Sequence, residues 1–284
     1  VHVAIEGRQE ESKRQIPLPH LTKSSDHHGS ASARAIKKLS LKEMDGSLLA
    51  LAIKAEFPES ERVTEALEVA AYLHRNATRQ NRGNLPRDNY ITHPLRNALR
   101  VIRLECRDED IVIGCILHDT VEDEPEDMIR LEYEDFDGTG YTEAGLQEMA
   151  ARVFIAPRFG SRVADLVMSV TNAPLDETSK RNMPRAQKQE LYRANVIEEI
   201  QGEDGTFAIK VADLIDNASS LHHTYEANPS MAQNLAKKYE PLIPHFIERL
   251  ATADVFPDRG KALIKIQLLD TQARLRDMIA KSAQ

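Results

Sequence analysis

Seven consecutive apolar positions, Ile111 to Leu117 (IVIGCIL), run directly into His118 and Asp119, and Glu122, Asp123 and Glu124 follow within one more turn. A short continuous apolar run is an element buried on all sides, and its flanks decide which kind. Asp108, Glu109 and Asp110 stand where a helix favours acids, so the pattern predicts a central buried helix over 108–124. On such a helix His118 and Glu122, and likewise Asp119 and Asp123, are four apart and share adjacent strips of one surface. Charge on a buried helix is costly unless compensated, and a divalent cation is the strongest compensation available. The local pattern therefore asks for a metal and for further ligands from elsewhere in the chain.

The helical period governs most of the remaining sequence. Leu67, Ala70, Ala71 and His74 share a face. After the break in QNRGNLPRDN (80–89), THPLRNALRVIRL resumes the period, with Thr92 or His93 as the expected cap and Pro94 at the first helical position. Helical patterns follow over 145–170, 186–200, 207–225, 234–253 and 262–282, separated by an acidic loop or insertion at 131–145 and a turn-rich connector, NAPLDETSKRNMP, at 172–184. Strand alternation and internal repeats are absent. The expected fold class is all-α, a helical bundle of nine or ten helices. The expected organisation is an N-terminal extension over 1–60, irregular to about residue 45, a main domain over 61–250, and a C-terminal helix over 251–284 packing on it.

Composition narrows the function. With 41% hydrophobic and 29% charged residues, no tryptophan and no apolar run of spanning length, the chain has a soluble globular composition. No secretory signal is visible in VHVAIEGRQEESK, where IEGR resembles an engineered protease site, and Cys106 and Cys115 lack disulfide or zinc spacing; a cytoplasmic location is expected. The net charge of −8 argues against non-specific nucleic-acid binding, and His27 and His28 lack further ligands. Arg79, Arg82, Arg87, Arg96, Arg100 and Arg103 face a single acid, Asp88, beside the acid-rich 105–150. Such a pair of stretches suits an anionic ligand held next to a cation, or else two solvated helix faces.

A His-Asp dipeptide alone carries no information, so partners decide. YITHPL supplies His93 at the start of a helix, and KVADLIDN supplies Asp213, with Asn217 and Ser220 at i+4 and i+7 on the same face. Singly, His93 before a proline reads as a cap and Asp213 with Asn217 as a buried polar pair. Together, two imidazoles and two carboxylates from three helices make a metal site with open positions.

The order YITHPL, ILHDTVED, FGSRVADLVMSVT, KVADLIDN over roughly 65–225 closely resembles the HD-domain hydrolases of the Rel/Spo stringent-response group, and the chain's length is similar to that of the small alarmone hydrolases. The resemblance implies an HD-domain helical bundle that removes the 3′-pyrophosphate of (p)ppGpp, giving GDP or GTP and pyrophosphate. It implies that His93, His118, Asp119 and Asp213 bind manganese, that Glu122 and Asp123 manage water and protons, and that Asn217 and Ser220 touch the nucleotide. It also implies that Arg79, five residues after His74, stacks on the base. The sequence departs from the family in the longer stretch RQNRGNLPRDNY, which gives Arg82 an equal claim to that role. It departs again at Leu214, where a basic residue commonly follows the metal-binding aspartate.

Those departures keep other substrates in view: an adenosine alarmone, a tRNA 3′-pyrophosphate or the 2′-phosphate of NADPH. An antitoxin paired with a toxic synthetase belongs to that reading. A non-catalytic regulatory HD protein is the other class, and a general nucleotide phosphohydrolase a third. The intact set of six site residues argues against a degenerate site. Monomer and homodimer remain equal expectations.

Overall fold

Asp108 starts the central helix by accepting hydrogen bonds from the backbone N–H groups of Asp110 and Ile111. The computed structural model describes residues 36–79, 88–174 and 177–281. In chain order its helices are α1 (Gly46–Glu56), α2 (Glu61–Leu73), α3 (Thr92–Arg103), α4 (Glu109–Leu117), α5 (Thr120–Asp123), α6 (Pro125–Arg130), α7 (Glu143–Ala150) and α8 (Ala156–Phe159). There follow α9 (Ser161–Val170), α10 (Glu177–Asn182), α11 (Arg185–Glu199), α12 (Asp204–Ser219), α13 (Leu221–Ala227), α14 (Pro229–Tyr239), α15 (Ile243–Leu250) and α16 (Asp258–Ala280). Among the described residues there is no strand, and an isolated antiparallel bridge joins Thr78 to Asn89. The fold is all-α, as the periodicity predicts. No described helix is long and apolar enough to cross a membrane.

Every residue from Ile111 to Leu117 is buried, and α2, α3, α9 and α12 pack around α4. Close approach of α12 needs Gly114, where a Cβ would stand 2.8 Å from Ile209 Cδ1. Helix α1, within the 1–60 stretch, lies on α3 and buries Leu49 and Ile53 in the same core. At the other end α16 packs against α12, α14 and α15, burying Ile264, Leu268 and Leu275.

Several local expectations are corrected. The helix expected over 108–124 is interrupted: α4 ends at Leu117, His118 and Asp119 form a turn, and α5 adds only one more turn. Thr120 Oγ1 donates to the Leu117 carbonyl, and Pro125 forces Glu124 out of helical geometry (φ −135, ψ 44). His118 and Asp119 thus sit at a helix end, where side chains can converge with those of other helices. At α3 neither Thr92 nor His93 caps by its side chain; Thr92 Oγ1 donates to the Asn89 carbonyl, and Pro94 lies inside the first turn. Pro94 lies where a missing N–H costs nothing, and the His93 imidazole is left to face the core. The connector 172–184 contains α10, and the helix expected over 207–225 breaks at Ser220 into α12 and α13. Gly160, at φ 91, separates α8 from α9. Residues 36–45 are not irregular: Ser40 and Glu43 form a capping box around a short 3₁₀ turn, and Met44 is buried. The rest of the N-terminal arm, with IEGR, His27 and His28, lies outside the described residues.

Candidate metal centre and substrate cleft

His93 enters from the first turn of α3, His118 and Asp119 from the turn after α4, and Asp213 from the middle of α12. One ligand atom each from His93, His118 and Asp213 lie within 4.8 Å of one another, so these three could hold a metal ion. Asp119 stands at their side, with Oδ2 3.2 Å from His118 Nε2 and 3.6 Å from His93 Nε2. All four residues expected as ligands therefore meet at one place.

Hydrogen bonds fix both imidazoles. His118 Nδ1 is 2.9 Å from the Cys115 carbonyl, which can only accept, so Nδ1 donates there and Nε2 is the nitrogen turned to the cluster. That Nε2 is buried and has no hydrogen-bond partner among the described residues, although the Asp119 and Asp213 carboxylates lie beside it. In the neutral ring that metal binding requires, the Nε2 lone pair would face two carboxylates, an arrangement that a cation between them stabilises. His93 donates from Nδ1 to Asp216 Oδ2 at 2.8 Å, and its Nε2 is 3.0 Å from Asp213 Oδ1. Burial and the Arg79 charge pull the His93 pKa down, but the hydrogen bonds to Asp213 and Asp216 prevail and raise it. Burial pushes the Asp213 carboxyl up, yet the His93 hydrogen bond and the His93, His118 and Lys210 charges hold it far below the usual range. Two imidazole nitrogens and carboxylate oxygens are a donor set that suits a first-row divalent ion.

Asp216 is the residue that sequence reasoning missed. It is buried and receives Arg96 Nε at 2.9 Å, Arg96 Nη2 at 3.0 Å, Arg100 Nη2 at 3.1 Å and Arg79 Nη1 at 3.0 Å, besides His93. Burial raises its pKa, and the His93 bond with the Arg100 and Arg96 charges brings it far below the normal value. A carboxylate behind a metal-ligand histidine fixes the tautomer and orients the ring. The basic stretch 79–103 is accordingly neither a solvated face nor an open anion site at Arg96 and Arg100, which are 4% and 6% exposed. Arg103 instead donates to the Leu39 and Ile36 carbonyls.

A cleft of about 580 Å³ opens beside the ligand cluster, lined in part by Arg79, Tyr90, Asp123, Asn217, Ser220 and Tyr239. Asn217 donates to Asp213 Oδ1 at 2.6 Å, so it steadies that carboxylate while it faces the cleft. Ser220 donates to the Asn217 carbonyl. The Arg79 guanidinium is held by Asp216 and Asn217. Arg82 lies outside the described residues. Leu214 is buried at 4% exposure.

Tyr90, also missed, donates to Asp119 Oδ2 at 2.7 Å, and burial with the Asp119 and Asp123 charges keeps its phenol protonated. Arg79 and Tyr90 are placed by a backbone clasp, Arg79 N–H to the Asp88 carbonyl at 3.0 Å and Tyr90 N–H to the Ala77 carbonyl at 2.9 Å. Glu122 accepts from the backbone and side-chain nitrogens of Asn172, each at 3.0 Å. Asn172 follows FGSRVADLVMSVT directly, at the head of the connector, where a polar residue just past a helix end is a usual anchor. Burial, followed by the Asp119, Glu122 and Glu124 charges, pushes the Asp123 carboxyl up to about 7.

Over 153 residues, 53% of the chain, the sequence is 26% identical to a Mycoplasma genitalium protein named "Probable guanosine-3′,5′-bis(diphosphate) 3′-pyrophosphohydrolase". The two are distant relatives. The matched stretch is 18% of that protein's length. No family model matches the chain.

Proposed function

We propose that the protein is a manganese-dependent hydrolase of the Rel/Spo HD type, of the small alarmone hydrolase kind, that removes the 3′-pyrophosphate of (p)ppGpp. The observation that carries this reading is His118 Nε2, buried, without a hydrogen-bond partner among the described residues and beside the Asp119 and Asp213 carboxylates. The name of the distant relative supports the substrate class. His93, His118, Asp119 and Asp213 would hold the ion, which when bound withdraws charge from phosphorus and activates water. Glu122, fixed by Asn172, would orient the attacking water. Asp123, on the cleft wall with its pKa raised to about 7, carries a proton for the departing ribose oxygen. Asn217 and Ser220 offer hydrogen-bonding groups to sugar or phosphate.

Arg79 already serves Asp216 and Asn217, which leaves adenine as acceptable as guanine. The deciding experiment is a product-resolved panel with Mn²⁺ on ppGpp, pppGpp, their adenosine counterparts, NADPH and a tRNA bearing a 3′-pyrophosphate. Pyrophosphate released from a guanosine or adenosine alarmone is expected; phosphate from NADPH or product from tRNA alone moves the assignment to that substrate, and no product from any sinks it. Glu122→Gln should keep Mn²⁺ binding while kcat falls by about 10²-fold or more, and an unchanged kcat removes Glu122 from the chemistry.

A further inference from the structure

A diphosphate approaching the carboxylates Asp119, Glu122, Asp123 and Asp213 needs positive charge beyond what one dication brings. Most described cations near the site are already engaged. Arg79, Arg96 and Arg100 converge on Asp216, and Lys210 Nζ bonds the Val170 carbonyl at 2.8 Å and Glu199 Oε2 at 2.7 Å. Lys238 differs from these. It lies on α14, which packs on α12, the helix of Asp213 and Asn217, and the next residue, Tyr239, lines the cleft. Its ammonium is half-buried, 3.5 Å from the Tyr192 ring centroid and 5.3 Å from that of Tyr239, with no carboxylate or hydrogen-bond partner among the described residues. Burial lowers its pKa, while the Asp213 and Glu122 charges act in the opposite sense. An aromatic face holds a cation in place without neutralising it, so the charge remains available to an anion.

We propose that Lys238 is a substrate-binding residue of this site, its ammonium held on Tyr192 and Tyr239 to take the non-bridging oxygens of the diphosphate group. The assignment rests on the hydrolase reading above for its biological substrate, but not for its chemistry. It also puts the cation in a segment beyond residue 225, outside the stretch that carries the motif resemblance, and leaves Leu214 free to pack in the core.

The test is calorimetric titration of the Mn²⁺-loaded full chain with inorganic pyrophosphate. Wild type is expected to bind it, Lys238→Gln about tenfold more weakly, as loss of one charge-assisted contact implies, and Lys238→Arg close to wild type, with Mn²⁺ affinity unchanged in all three. Lys238→Met keeps the stem on Tyr192 and should show the same loss, so it decides the matter if the glutamine variant does not fold. Wild-type pyrophosphate affinity in either folded neutral variant overturns the assignment, as does loss of Mn²⁺ binding together with pyrophosphate binding. If the substrate panel yields no pyrophosphate while these titrations behave as expected, the hydrolase reading falls and the anion site stands.

Discussion

Asp216 shows how much of the centre depends on residues that touch no substrate, and His74 what a buried imidazole costs the fold. Asp216→Asn would keep the shape but leave Arg96, Arg100 and Arg79 without their counter-charge. Titration should give a Mn²⁺ affinity about 10- to 100-fold lower, and denaturant unfolding a loss of about 3 kcal/mol. His74 is 1% exposed, neither ring nitrogen has a hydrogen-bond partner among the described residues, and burial holds its pKa down at about 4. In the unfolded chain it protonates below about 6.5, so the folded state loses stability as pH falls from about 6.5 towards 4, by up to about 3 kcal/mol. In metal-free protein, His74→Phe should flatten the fall in urea midpoint between pH 7 and pH 5. A midpoint that falls equally in both proteins removes His74 as the cause. That His93, His118, Asp119 and Asp213 come together was legible because each sits in a short motif with its neighbours in view. Asp216 was not, although it stands three residues after Asp213, because the arginines that give it meaning lie on α3, more than a hundred positions earlier in the chain.

At the scale of elements, the burial of α4 followed from its unbroken apolar run, but its early end did not. Nothing in the period of His118, Asp119, Glu122 and Asp123 distinguishes one helix from a helix, a turn and a further turn. What ends α4 is Thr120 bonding back to Leu117, and Pro125 then keeps α5 from continuing into α6. That the C-terminal helix packs on the domain was expected, but the place where α16 meets the end of α3 was not. The helix crosses the end of α3 at Gly260, where a Cβ would collide with the Leu104 carbonyl oxygen, a backbone atom that cannot turn aside. Gly260→Ala should therefore cost about 1–3 kcal/mol. Gly114→Ala, whose obstacle is the mobile end of Ile209, should cost less. Thermal unfolding of the two variants gives the order, and the reverse order would mean that α16 shifts freely on α3.

Across the whole molecule, three helices from distant parts of the chain meet at the ligand cluster, so a bound ion ties them together. Mn²⁺ at 100 times its Kd should stabilise the fold by about 2.7 kcal/mol, a gain abolished by a chelator and absent in Asp119→Ala. An identical melting temperature with and without Mn²⁺ in wild type would separate the cluster from metal binding. The clasp formed by Ala77, Arg79, Asp88 and Tyr90 has a different consequence. Because Arg79 is already paired with Asp88, the two ends of the connection between them are fixed by the backbone on either side of it. Exchanging residues 80–87 for Asn-Gly, the shortest turn such a pairing accepts, should leave Mn²⁺ affinity intact while nucleotide preference shifts. The two properties can then be inherited, or engineered, separately.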